Sequence, residues 1–93
     1  MKWLEIIQLR TTKRTMEKLK SHLEALIKEV EEETQKGDVK VYSHMTINTD
    51  FSVHLFHDSN KVEANGSQLG LYLASELKEF GLINHSIWIE MNK

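Results

Sequence analysis

The chain contains no cysteine and no proline, and only four of its 93 residues are glycine. Without cysteine it has no disulfide, no thiolate metal ligand and no cysteine nucleophile, and a reducing compartment is the default. Without proline, every residue can donate a backbone hydrogen bond within a helix or strand. The sequence also has no hydrophobic run long enough to cross a membrane. We therefore expect a soluble cytoplasmic protein with no signal peptide and no membrane partner.

The chain also has no large excess of positive or negative charge. It contains 12 Lys and Arg residues and 14 Asp and Glu residues, for a net charge of −2. A nucleic-acid-binding surface needs a clear excess of positive charge, so no nucleic-acid partner is expected. The basic residues are clustered between residues 10 and 20, where we interpret them as a solvated connection rather than a phosphate site. The length suits one domain over residues 1–93 and is too short for two.

Hydrophobic periodicity predicts four strands and two helices. The first strand has apolar residues on both of its sides, which is typical of a central strand covered on both faces. Both helices show apolar residues at three- and four-residue steps. The predicted elements, in chain order, are a strand over 3–10, a helix after Thr15 that Gly37 ends, a hairpin over 39–57 that turns at 48–50, a helix that Ser67 begins and Gly81 ends, and a strand over 86–91.

This β-α-β-β-α-β order predicts an α+β, ferredoxin-like fold, with a four-stranded antiparallel sheet and two helices on one of its faces. The other face would then carry Tyr42, Phe56 and Trp88. A sheet face with several aromatic residues is neither a core nor an ordinary solvent surface, so a covering partner is indicated. We expect a homodimer formed through this face.

The element order, together with the closing segment GLINHSIWIE at residues 81–90, resembles the dimeric α+β barrel superfamily. Within that superfamily, the chain is similar to the small antibiotic-biosynthesis-monooxygenase-like proteins. The resemblance implies two ferredoxin-like subunits that face each other sheet to sheet. For activity, it implies oxidation of polycyclic aromatic or quinol substrates without a metal or flavin. The group also includes haem-degrading enzymes and proteins without known activity, and no catalytic motif of the family is carried onto residues of this chain.

Two histidines of the hairpin are candidate catalytic residues. If the turn is the three residues 48–50, His44 lies directly opposite His54. Neighbouring imidazoles can pass a proton or share a metal ion, with Glu5 or Gln8 on the next strand as a third group. Two histidines are an incomplete metal site, so hydrogen bonding within a polar interface is the preferred interpretation. No metal and no cofactor are predicted.

Two further histidines are interpreted as structural. His57 and His85 share the side of the sheet that faces the helices. The predicted topology places them at opposite ends of that sheet, so each is expected to find its own hydrogen-bond partners. Between His57 and the second helix, the polar residues 58–66 form a connection long enough to act as a lid.

Three functions remain open. The leading hypothesis is a homodimer that encloses a pocket for an aromatic or apolar small molecule, with Tyr42, Phe56, Trp88 and Glu5 as lining residues and His44 and His54 as polar groups. The second is a cofactor-independent monooxygenase, in which a histidine or tyrosine assists proton transfer from a phenolic or quinol substrate. The third is a structural interaction module with a dry dimer interface.

Overall fold

The computed structural model describes residues 1–33 and 38–91, so Gly37, predicted to end the first helix, lies outside the described residues. The strands form one antiparallel sheet in the order β2-β3-β1-β4. This confirms the α+β prediction and is compatible with a ferredoxin-like topology. The elements are β1 (Lys2–Arg10), α1 (Met16–Glu33), β2 (Val39–Ser43), β3 (Asp50–Asp58), α2 (Gln68–Leu77), a 3-10 turn (Lys78–Phe80) and β4 (Leu82–Ile89).

Strand β1 occupies the middle of the sheet and pairs with β3 on one side and β4 on the other. Its alternate residues Trp3, Ile7 and Leu9 are buried beneath the helices. On the opposite face, Leu4 and Ile6 are half-buried. The strand thus has the central position that its apolar residues on both sides predict.

The hydrophobic core lies between the sheet and the two helices. Each helix contributes an apolar stripe, and burial of each large aliphatic side chain contributes roughly 1.5–3 kcal/mol. Among residues 1–33 and 38–91, none of the helices covers the other sheet face, which we call the open face. The central core residues are Ile7, Leu19, Leu23, Leu26, Val30, Val53, Leu55, Leu73 and Leu77. No helix within the described ranges is both long and apolar enough to span a membrane.

The second helix begins where the sequence predicts. The Ser67 hydroxyl accepts a hydrogen bond from the Gly70 backbone N–H at 2.9 Å, which makes Ser67 the N-cap of α2. Strand β4 begins at Leu82 rather than at Ser86, and it ends at Ile89 rather than at Met91. It begins early because Gly81 lies against the Arg10 backbone, where a side chain would not fit. The chain therefore enters the sheet directly after the 3-10 turn.

The hairpin between β2 and β3 has a longer loop than predicted. Residues 44–49 lie outside both strands, and the register pairs Lys40, not His44, with His54. His44 instead organises this loop, because its Nδ1 accepts hydrogen bonds from the backbone N–H groups of Thr46 and Ile47, each at 3.1 Å. The predicted opposition of His44 and His54 is therefore wrong.

Candidate functional site

Aromatic side chains from three strands lie on the open face. Tyr42 on β2, Phe56 on β3 and Trp88 on β4 are 46%, 42% and 58% exposed. Leu4 on the central strand pairs with both Phe56 and Trp88, so these three residues form one apolar row across the sheet. Three of the predicted pocket residues thus share one face. Their role as a pocket stays a prediction.

His54 lies on the same face, in the next row of the sheet. Its Nε2 is 3.1 Å from the Ser52 hydroxyl, and its ring centre is 4.6 Å from that of Tyr42. Desolvation by burial lowers the pKa of His54 from its ordinary value of 6.5. The imidazole is therefore predominantly neutral at pH 7 and can accept a proton from a bound molecule.

Two shallow depressions mark the open face, one toward each end of the sheet. The first lies at the start of β1, where Leu4, Phe56 and Trp88 contribute to its lining. The second lies at the other end, where Arg10 and Asp50 form a double ion pair with N···O distances of 3.2 and 3.3 Å. Both depressions are open to solvent in a single subunit.

The remaining predicted site residues do not join this set. His44 lies in the hairpin loop, where its ring bonds to its own backbone turn. Glu5 lies on the opposite side of the sheet, beneath α2, where its side chain is 0% exposed. Alternation along β1 places Glu5 with Trp3 and Ile7, so its predicted place in a pocket with His54 is wrong.

Glu5 forms the centre of a second polar site, which sequence reasoning missed. Its Oε1 accepts hydrogen bonds from His57 Nε2 at 2.9 Å and from the Ser67 hydroxyl at 2.7 Å. Its Oε2 accepts from His85 Nε2 at 2.6 Å and from the Ser67 backbone N–H at 3.1 Å. We call Glu5, His57, Ser67 and His85 the Glu5 cluster. An ionised carboxylate only accepts, so both imidazoles present an Nε2 proton to it.

The sheet register brings the two histidines together. Glu5 pairs directly with Leu55 on β3 and with Ile87 on β4. His57 and His85 are each two residues away from those positions, so they are diagonal neighbours of Glu5 from opposite strands and within reach of a long side chain. The prediction that they lie at opposite ends of the sheet, with separate partners, is wrong. It failed because β4 begins at Leu82 and not at Ser86, so His85 lies inside the strand, opposite Ile7.

Two glycines make room for this cluster. Gly70 lies so close to Glu5 that a Cβ atom at residue 70 would overlap the carboxylate. Gly66 has a φ of +103°, which favours glycine, and a Cβ there would be 2.6 Å from the His85 ring. A glycine in the first turn of an amphipathic helix was the signal, visible in the sequence, that a bulky group approaches α2 at this point.

The Glu5 cluster links β1, β3, β4 and the N-cap of α2 through a single side chain. Burying an ionised carboxylate costs several kcal/mol unless its oxygens are fully bonded. Here four donors offset that cost, and the positive end of α2 adds to their effect. No buried side-chain nitrogen or oxygen of the described residues lacks a hydrogen-bond partner. Nor do residues 1–33 and 38–91 contain three or more His, Cys, Asp or Glu side chains arranged to hold a metal ion.

Comparison of the chain with protein-family models, with curated proteins and with solved structures finds no match. The fold is therefore established here by the element order and sheet topology alone.

Gly70→Ala is expected to lower the free energy of unfolding by about 1–3 kcal/mol, because the added methyl group overlaps the Glu5 carboxylate. In a Glu5→Ala background the same substitution should be neutral or stabilising, since alanine favours a helix over glycine by about 1 kcal/mol. Urea unfolding followed by circular dichroism measures all four combinations. Ser75→Ala, at an exposed position of α2, is the matched control. An equal cost in both backgrounds would contradict the contact.

The His54 imidazole is expected to titrate below 6.5 in the folded protein, because burial disfavours its charged form. Proton NMR of the ring resonances measures the midpoint, and the same measurement in urea should return it to the ordinary value. Because the unfolded chain takes up this proton first, folding stability should fall as the pH drops through the range just below 6.5. An unchanged midpoint on unfolding would contradict the burial of His54.

Proposed function

We propose that the protein is a homodimer whose two open faces oppose each other and enclose a site for a flat aromatic or apolar molecule. The observation that carries this proposal is the exposed aromatic set on the open face, Tyr42, Phe56 and Trp88. Large contiguous apolar patches are rare on soluble monomers and mark surfaces that bind a partner or ligand. The opposite face needs no such cover, because two helices already bury it.

The polar groups of the open face favour a ligand site over a purely apolar contact. The Trp88 indole N–H donates to the Ser86 hydroxyl at 2.9 Å, and the Asn84 amide donates to Gln8 at 3.2 Å. These bonds link polar side chains that share the open face with the aromatic rings. Small-molecule sites commonly combine apolar walls with a few positioned polar groups in this way.

Aromatic ligands suit this surface because its three aromatic side chains are each about half exposed. The His54 and Phe56 ring centres are 6.3 Å apart, and Lys40 Nζ lies 5.8 Å from the centre of the Phe56 ring. A flat molecule could contact these rings on one subunit and their counterparts on the second. The resemblance of the element order to dimeric α+β barrels supports the same sheet-to-sheet arrangement.

Phe56→Glu is expected to halve the sedimenting mass at micromolar concentration, because it places a carboxylate in the apolar row of the open face. Analytical ultracentrifugation measures the mass. Met45→Glu, at a fully exposed loop position, makes the same change of charge and should leave the mass unchanged. A wild-type chain that sediments as a monomer would contradict the proposal.

The ligand is tested separately with 2-naphthol as the probe. Isothermal titration calorimetry should show binding to the wild-type protein and a loss of at least about tenfold in Trp88→Ala, since one stacking surface is removed. Met45→Glu should bind like the wild type. A stable dimer that binds no naphthol would favour the structural module with a dry interface.

A cofactor-independent monooxygenase is a second candidate, which the state and position of His54 favour. Its neutral imidazole lies beside Tyr42 among the exposed rings. A quinol stacked there could transfer a phenolic proton to His54 and become the electron-rich phenolate, which dioxygen oxidises more readily. The resemblance to antibiotic-biosynthesis monooxygenases also supports a monooxygenase activity.

His54→Ala is expected to reduce oxygen uptake with 1,4-naphthoquinol about 10²-fold, the lower end of the effect of removing a general base. His44→Ala is the matched control, because the structure places His44 in the hairpin loop and away from His54. An oxygen electrode measures the rates, with uptake in the absence of protein subtracted. Equal rates in the two variants would exclude His54 as the base.

A further inference from the structure

The outer edge of β4 is an unprotected strand edge. Strand order places β4 at one edge of the sheet, and none of its residues from Leu82 to Ile89 is charged, although 28% of the chain is. The other edge strand, β2, is shorter and carries Lys40. Soluble proteins usually protect edge strands with charge, proline or short length, and β4 has none of these features.

The free hydrogen-bonding groups of this edge can be assigned. The Glu90 N–H donates to the Lys2 carbonyl at 3.0 Å, in continuation of the β1–β4 register. Even-numbered residues of β4 therefore direct their backbone groups toward β1, and odd-numbered residues direct theirs outward. The outward set comprises Ile83, His85, Ile87 and Ile89, and the described residues provide no strand beyond it.

Exposed apolar side chains border the same edge on both faces. On the open face, Leu82 is 75% exposed, and Trp88 is at the other end of the strand. On the helix side, Leu71 is 50% exposed. Tyr72 of α2 contacts Glu29 of α1, and the buried Leu73 and Leu77 face the sheet, so the rotation of about 100° per residue turns Leu71 away from α1, to the side on which β4 lies.

We propose that β4 pairs antiparallel with β4 of a second copy of this chain, about a two-fold axis perpendicular to the sheet. This would join two four-stranded sheets into one continuous sheet. The flanking Leu71 side chains would then approach each other across the axis. The partner is a second copy because two such edges match each other. Each offers outward backbone groups and exposed apolar side chains, and neither has a charged residue.

Strand parity also selects a register. Opposed residues of an antiparallel pair lie on the same face, so even-numbered residues must oppose even-numbered residues. With His85 on the axis, Leu82 lies opposite Trp88 of the partner subunit, and two exposed apolar groups cover each other. With Ser86 on the axis, Leu82 would instead oppose a Glu90 carboxylate. The structure therefore favours the register centred on His85.

This interface is distinct from the sheet-to-sheet contact proposed above. The edge axis is perpendicular to the sheet, whereas the axis of the open-face dimer lies between two sheets. Where two such axes intersect at a right angle, they generate a closed tetramer of two continuous sheets packed face to face. The two interfaces can then be removed one at a time.

Leu71→Glu tests the edge without touching the open face, since residue 71 is exposed and lies on the helix side. We expect it to halve the sedimenting mass by placing like charges across the axis. Ile87→Pro should do the same, because it removes an outward N–H and leaves pairing with β1 intact. Met45→Glu should leave the mass unchanged, and Phe56→Glu separately removes the open-face contact. A mass unchanged in folded Leu71→Glu overturns the edge pairing and leaves the open-face proposal standing.

Engineered cysteines test the register, and the chain has none of its own to interfere. With His85 on the axis, Asn84 opposes Ser86 of the partner subunit at a non-hydrogen-bonded pair, where a disulfide can form. Under mild oxidation, Asn84→Cys and Ser86→Cys should each stay unlinked alone and form disulfide dimers when mixed. Linking of Ser86→Cys alone overturns this register, and no linking in any sample overturns the pairing.

Discussion

The structure depends on one buried carboxylate. Glu5 lies in the middle of the central strand, within an otherwise apolar layer, and it must be bonded on both oxygens to remain there. Its four donors come from β3, β4 and Ser67, the N-cap of α2. The requirement to satisfy Glu5 therefore fixes where α2 begins and how closely it approaches the sheet. The apolar core contributes most of the stabilisation, but it determines the position of α2 less closely than Glu5 does.

The two faces of the sheet separate stability from recognition. His54 and His57 are only three residues apart on β3, yet they belong to different environments because strand side chains alternate. His57 points into the helix side, bonds to Glu5 and stacks on Trp3 with 3.9 Å between ring centres. His54 lies among the exposed rings of the open face. One strand thus completes the interior with one set of residues and presents a binding surface with the other.

Periodicity predicted the element order because it depends on local spacing, and Ser67 could be identified as a cap for the same reason. The hairpin register could not be predicted, because it depends on a loop closed by the His44 ring. Glu5 shares the parity of Trp3 and Ile7, so its burial was visible in the alternation, but the usual exposure of charged residues argued against it. Its partners are set by strand order, which local sequence does not contain.

The central position of β1 has a consequence for when the protein can fold. During synthesis β1 emerges before both of its pairing partners, which lie at residues 50–58 and 82–89. Until β4 emerges, Glu5 lacks the His85 bond and β1 has one side unpaired. A helix such as α1 is only marginally stable alone in water. The sheet therefore closes only after β4 has been translated, in a step that depends on long-range contacts and is slow for that reason.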